Sequence, residues 1–136
     1  MEIRTLKETS ILIENAIIEI KELIKTRRKK YEDDKFKAGF DIENEKDKLN
    51  KRWNKKIDAD KEILSKTPDG REKLSQLRLD HQEALKEYKE RGVIKMRAIK
   101  RGYLKDCNLI ITNVSYQLNL NRKHLKRILG ANYYFD

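Results

Sequence analysis

A single proline, Pro68, stands close to the middle of the 136-residue chain, and only five glycines accompany it. Proline and glycine are the residues most able to reverse a backbone, so this chain has few places to turn. The elements between those places must be long. The clearest reversal is Thr67-Pro68-Asp69-Gly70, where Thr67 or Asp69 can cap the helix that follows. Hydrophobic residues make up 38% of the chain and charged residues 41%, a balance that suits long, largely solvated helices and leaves the signals for strands weak. The charges are of mixed sign and the apolar residues are periodic, which marks the chain as ordered.

Ile3, Leu6, Ser10, Ile13, Ile17, Ile20 and Ile24 recur at spacings of three and four, widened by Leu12, Ala16 and Leu23. That pattern predicts a core helix over residues 3 to about 30. It runs into Arg27, Arg28, Lys29 and Lys30, which suit the negative end of a helix and could alternatively hold a phosphate. Between Tyr31 and Asp41 the pattern fails around Glu32, Asp33, Asp34 and Gly39, and a loop or helix break is expected there. A second helix over about 42–66 carries a thin stripe of Leu49, Trp53, Ile57 and Leu64. A third begins near Arg71 with Leu74, Leu77, His81, Ala84 or Leu85, and Tyr88, a heptad-like seam fitted to that stripe in coiled-coil fashion. Gly92 is expected to interrupt this helix and Gly102 to end or bend it. The fold class is therefore all-α: an N-terminal core helix, a long charged helical hairpin and a C-terminal basic unit like a helix-turn-helix. Residues 1–106 would form the helical core and an oligomerising hairpin, and 107–136 the basic unit with its aromatic tail.

The charge is unevenly spread. From Arg91 to Asp136 there are ten Lys or Arg against two acids, a net +8; the remaining 23 basic and 21 acidic residues nearly cancel over 1–90. A local basic field points to nucleic acid. One cysteine, Cys107, excludes an internal disulfide and is expected to be buried and inert, although Lys105 nearby could activate it. His81 and His124 offer no zinc spacing, and His81 reads as a packed or water-bonded seam residue. No stretch approaches the ~20 apolar residues of a membrane span, and no signal-peptide core is visible, so a cytoplasmic protein without membrane contact is expected. The carboxylates Asp41, Glu43, Glu45 and Asp47, and Asp58, Asp60 and Glu62, alternate around a helix among lysines and read as solvated ion pairs. No phosphate loop, nucleophile elbow or zinc motif occurs, so neither catalysis nor a cofactor is expected.

The segment Ile111 to Gly130 carries the functional expectation. Val114 and Leu118 would form the inner face of one helix, with the small Ser115 where the two helices cross. Asn119 suits a left-handed turn position, Leu120 would plug the turn, and Leu125 and Ile128 would be the inner face of the second helix. Its outward face is then Asn121, Arg122, Lys123, Lys126 and Arg127, side chains able to bond base edges and phosphates, with Asn121 also a candidate cap. Lys100, Arg101 and Lys105 would hold phosphates. The plain alternative is a final core helix with a solvated basic face. Tyr133, Tyr134 and Phe135 follow the cations instead of interleaving with them, and are expected to pack back on the hairpin rather than stack on bases.

The stretch Asn113 to Leu129 resembles the C-terminal helix-turn-helix of the factor for inversion stimulation and of the nitrogen-regulator type activators. Those motifs have a small residue in the first helix, a Leu-Gly-Ile turn and an Asn-Arg-x-x-Leu start to the recognition helix. Leu118, Asn119 and Leu120 match the turn, with Asn119 in place of glycine, and Ser115 stands where alanine is usual; Asn121, Arg122 and Leu125 match the start. The resemblance, over about 20 residues, implies a dimeric binder of duplex DNA with Arg122 and Lys123 as leading contacts. Doubling a small recognition unit is the common route to affinity, so a homo-oligomer is expected. Two other readings remain: a helical structural or adaptor component of a large assembly such as a phage particle, and an oligomeric single-strand binding mediator. Residues 1–90 could bind a second protein in any of the three.

Overall fold

The structure, a computed structural model, describes residues 4–131 together with Tyr133. It is all-α. Three helices, α1 (Leu6–Leu64), α2 (Pro68–Gln117) and α3 (Arg122–Leu129), make up its regular structure, and no strand occurs among the described residues. The start of α1 is a capping box: the Thr5 hydroxyl accepts from the Glu8 N–H at 3.1 Å, and the Glu8 carboxylate accepts from the Thr5 N–H at 3.4 Å.

The chain divides into two compact units. The hairpin unit, Lys35–Arg97, pairs the end of α1 with the start of α2. Its reversal is capped by Thr67, whose hydroxyl accepts from the Gly70 N–H at 3.0 Å, with Pro68 at the first helical position where its missing N–H costs nothing. Gly70 is required by space. A Cβ there would lie 1.9 Å from the Leu64 carbonyl oxygen. The seam uses the residues that the spacing marks: Ile57 and Leu74 are buried, and Leu49, Trp53, Leu64, Leu77, Leu85 and Tyr88 are half-buried. His81 stacks on Trp53 with ring centroids 5.6 Å apart, and its Nε2 lies 2.9 Å from the Asn50 Oδ1. The Tyr88 hydroxyl donates to the Ile42 carbonyl at 2.7 Å.

The terminal unit comprises residues up to Asp34 and those from Ala98 onward. Ala16, Ile20, Ile24 and Tyr31 of α1 meet Tyr103, Cys107, Ile111 and Val114 of α2, and Leu125 of α3 and Tyr133 complete the buried cluster. Tyr31 stacks on Tyr103 with centroids 4.4 Å apart. Arg27 reaches Asp106 at 2.6 Å and Arg28 donates to the Tyr103 hydroxyl at 3.3 Å.

Several expectations are corrected here. No break occurs at 31–41, because α1 is continuous and Tyr31 and Ala38, seven residues apart, keep a buried face through it. The acids that suggested a loop lie along a helix, and Arg27–Lys30 are mid-helix rather than at a helix end. Gly92 and Gly102 likewise lie inside α2; a Cβ at Gly92 would meet Ile42 at ordinary van der Waals distance, 3.4 Å from its Cδ1, and one at Gly102 would meet nothing within 4 Å. Leu6 is 92% exposed. With Arg27 opposite Asp106, the antiparallel register brings α2 to its end near Ala16, so the first turns of α1 have no α2 beside them. Within the terminal unit, α2 from Ala98 onward packs with α1 between Ala16 and Tyr31. Tyr133 buries in the terminal unit's own cluster; Ile3, Tyr134 and Phe135 lie outside the described residues.

Candidate nucleic-acid interface

Leu118, Asn119, Leu120 and Asn121 join α2 to α3. The turn closes as a Schellman motif: the Asn119 N–H donates to the Tyr116 carbonyl at 3.2 Å and the Leu120 N–H to the Ser115 carbonyl at 2.8 Å. Asn119 sits at φ 52°, the left-handed region that asparagine tolerates better than other residues with a side chain. Leu120 can then turn back to the cluster, and Asn121, extended at φ −77° and ψ 117°, caps α3 by accepting from the His124 N–H at 3.1 Å. Gly130, at φ 90°, ends the helix with its N–H on the Lys126 carbonyl. Every residue of this turn has a local reason to be where it is.

Eight residues are too few to hold a helix alone, so α3 depends on what it buries. Leu125 is fully buried and Leu129 packs beside it, one turn on. The expected partner of Leu125, Ile128, is instead 48% exposed. A helix that faces inward at Leu125 and Leu129 turns Lys123 and Arg127 directly outward, with His124 and Ile128 on one flank and Lys126 on the other. Accordingly Lys123, His124 and Arg127 are exposed and Lys126 is half-buried; Arg122, on the inner side by angle, is exposed because it opens the helix. The placement joins Asn121, Arg122, Lys123, Lys126 and Arg127 on one short element, but not on one face.

On α2, Arg101 and Lys105 are exposed and four residues apart, on the side away from Tyr103, Cys107 and Ile111. Further along that side come Leu109, half exposed, and Tyr116, 87% exposed. Lys100, also exposed, stands seven residues before Cys107 and so projects from the side of α2 that meets α1. The three cations expected to hold phosphates therefore divide between two sides of the helix. Between Asp106 and Asp136 the sequence has no acid, and Asp106 itself is taken by Arg27, whose guanidinium carbon also lies 5.7 Å from the centre of the Tyr103 ring. The outer surface of this segment is thus uniformly neutral or positive.

His124 and Tyr116 are exposed residues of this surface that sequence reasoning passed over. Taking Leu125 and Leu129 as the inner pair would have exposed His124 by helical angle alone. Burial pushes the Cys107 thiol above its ordinary value, against a smaller opposing effect of its hydrogen bond with Tyr103, and burial raises the Tyr103 phenol as well. The thiol is enclosed and protonated at neutral pH, a poor nucleophile. Among the described residues no group of His, Cys, Asp and Glu is placed to hold a metal ion, and no helix is long and apolar enough to cross a membrane. The chain matches no family model, no curated protein and no solved structure.

Proposed function

We propose that this chain is a DNA-binding protein, regulatory or architectural, that presents α3 to the major groove and acts as a homo-oligomer. The observation that carries the reading is the seating of α3: Leu125 faces inward, Asn121 caps the start, and Lys123, His124 and Arg127 are left on an outer surface with no acid near them in sequence. Such side chains reach base edges and phosphates in a groove that admits one helix. Lys123 and Arg127 are the leading contacts. Asn121, Arg122 and Lys126 flank them, Arg101 and Lys105 hold phosphates from α2, and Lys100 contributes only to the general field. The resemblance to inversion-stimulation and nitrogen-regulator motifs supports the same role, as does the Schellman turn that seats Asn119 where those proteins use glycine.

A salt series of fluorescence anisotropy on duplex and single-stranded DNA tests this. Wild type should prefer duplex with a steep salt slope, each lost phosphate contact should lower that slope by about 0.9, and Lys123→Ala and Arg127→Ala should each weaken binding by about 1–3 kcal/mol. Arg122→Ala and Lys126→Ala should cost less. Equal, weak binding by all five proteins would sink the proposal and favour a structural or adaptor role. One observation favours that second reading: Phe36 and Phe40, one turn apart in the hairpin unit, are 76% and 59% exposed, as a protein contact would require. A preference for single strands would favour the oligomeric mediator.

A further inference from the structure

A cleft of about 470 Å³ opens in the terminal unit between the start of α1, the turn and α3. Its apolar wall is Ile13, Leu120 and Leu125, and its polar rim is Arg4, Thr9, Asn119, Asn121 and His124. That volume falls in the range of small-molecule sites, which are typically apolar with a few convergent polar groups. The rim mixes neutral polar groups with one guanidinium, and that is its fixed charge. Arg4 can only donate, the Oδ1 of Asn121 already accepts from the His124 N–H, which leaves the Asn121 amide to donate, Thr9 spends its hydroxyl proton on the Thr5 carbonyl, and no carboxylate lines the cleft. Donors from two separate elements, with an apolar wall beside them, ask for a ligand with several acceptor oxygens on a small apolar body. A phosphate monoester has three such oxygens and a backbone phosphodiester two, and arginine is the side chain best suited to either.

We infer that this cleft binds a phosphate group. It adjoins the outward face of α3, sharing His124 and Asn121 with it, while Lys123 and Arg127 lie outside the cleft. It is also coupled to that face, since Asn121 caps α3 and Leu125 anchors it, so an occupant bears on how the helix is held. The phosphate has two sources. It comes from the backbone of bound DNA, in which case this inference rests on the DNA-binding reading, or from a free phosphate monoester, in which case the site stands without that reading.

The experiment follows the side-chain amide signals of Asn119 and Asn121 and the ring signals of His124 by NMR in the full chain. Phenyl phosphate, inorganic phosphate and a short duplex are added separately. Saturable shifts with phenyl phosphate, weakened about tenfold or more in Arg4→Ala and in Asn119→Gly but not in the surface control Lys51→Ala, assign the site to a free monoester; one charge-assisted hydrogen bond accounts for that factor. Asn119→Gly keeps the left-handed turn while removing a rim side chain, so its loss of binding is not a loss of fold. Shifts that appear only with duplex, and are lost in Arg4→Ala, assign the site to a backbone phosphate. No shift with any of the three, or the same shift in wild type and both variants, overturns the inference. Binding of phenyl phosphate without any binding of duplex upholds the cleft and refutes the DNA-binding reading alone.

Discussion

Leu125→Ala and Ile128→Ala, made side by side, ask which face of α3 is anchored. Leu125 is the buried residue of α3 and is fully enclosed, so truncating it removes most of a leucine side chain from the cluster and leaves a void among Val114, Leu120 and their neighbours. Changes of that kind cost about 2–5 kcal/mol. Ile128 keeps about half of its surface in water. Full burial of such a side chain is worth about 1.5–3 kcal/mol, so the buried half contributes about 1 kcal/mol, partly offset by alanine's better helix propensity. The expected difference between the variants is therefore about 2 kcal/mol, with Leu125→Ala the weaker protein. Urea denaturation followed by circular dichroism measures the whole-chain effect, and amide exchange over Arg122–Leu129 measures the release of α3. Because so short a helix has little stability of its own, undocking and unwinding should coincide. If Ile128→Ala is as costly as Leu125→Ala, or more so, the assigned inner face is wrong, and with it the outward placement of Lys123 and Arg127.

The glycines give a contrast of sign: Gly70→Ala forces a methyl group against the Leu64 backbone and should destabilise by about 1–3 kcal/mol in thermal or urea melts. Gly39→Ala, inside α1 with nothing within 4 Å of the new Cβ, should stabilise by about 0.5–1 kcal/mol; a loss of stability there would mean that α1 is not helical through that segment. Stability should also depend on alkaline pH, because burial raises the Cys107 thiol and the Tyr103 phenol above ordinary values of 9.0 and 10.0. The unfolded chain then loses these protons first, so their contribution is complete below the ordinary values and falls as pH rises past them, by up to about 1.4 kcal/mol per pH unit for each group. Urea melts between about pH 8 and pH 11 should show the decline, with a shallower slope in Cys107→Ala; stability that is constant or rises over that span would refute the assignment.

Much of the architecture is legible in local patterns. The reversal at Thr67–Gly70, the seam from Leu49 to Tyr88 and the left-handed Asn119 each follow from residues within a few positions of one another, whose spacing and capping chemistry act before any tertiary contact forms. The continuity of α1 through 31–41 was hidden, because its buried face there rests on Tyr31 and Ala38, one aromatic and one small residue, while Phe36 and Phe40, which catch the eye, point to solvent. Glycine's helix-breaking tendency misled in the same way at Gly92 and Gly102: a cost of about 1 kcal/mol per residue is outweighed by the packing of a long helix on its neighbour.

The candidate interface divides along the same line. The sequence by itself determined that a capped, acid-free basic helix follows a tight turn, because turn, cap and charge are properties of neighbouring residues. Only the tertiary structure decided which way that helix faces. Leu125 can pair with Ile128 at a spacing of three or with Leu129 at a spacing of four, and an eight-residue helix is too short for periodicity to choose between them. Contact with the cluster built on Ile20, Ile111 and Val114 chose Leu129, and in doing so turned Lys123, His124 and Arg127 to the surface and left Lys126 half-covered.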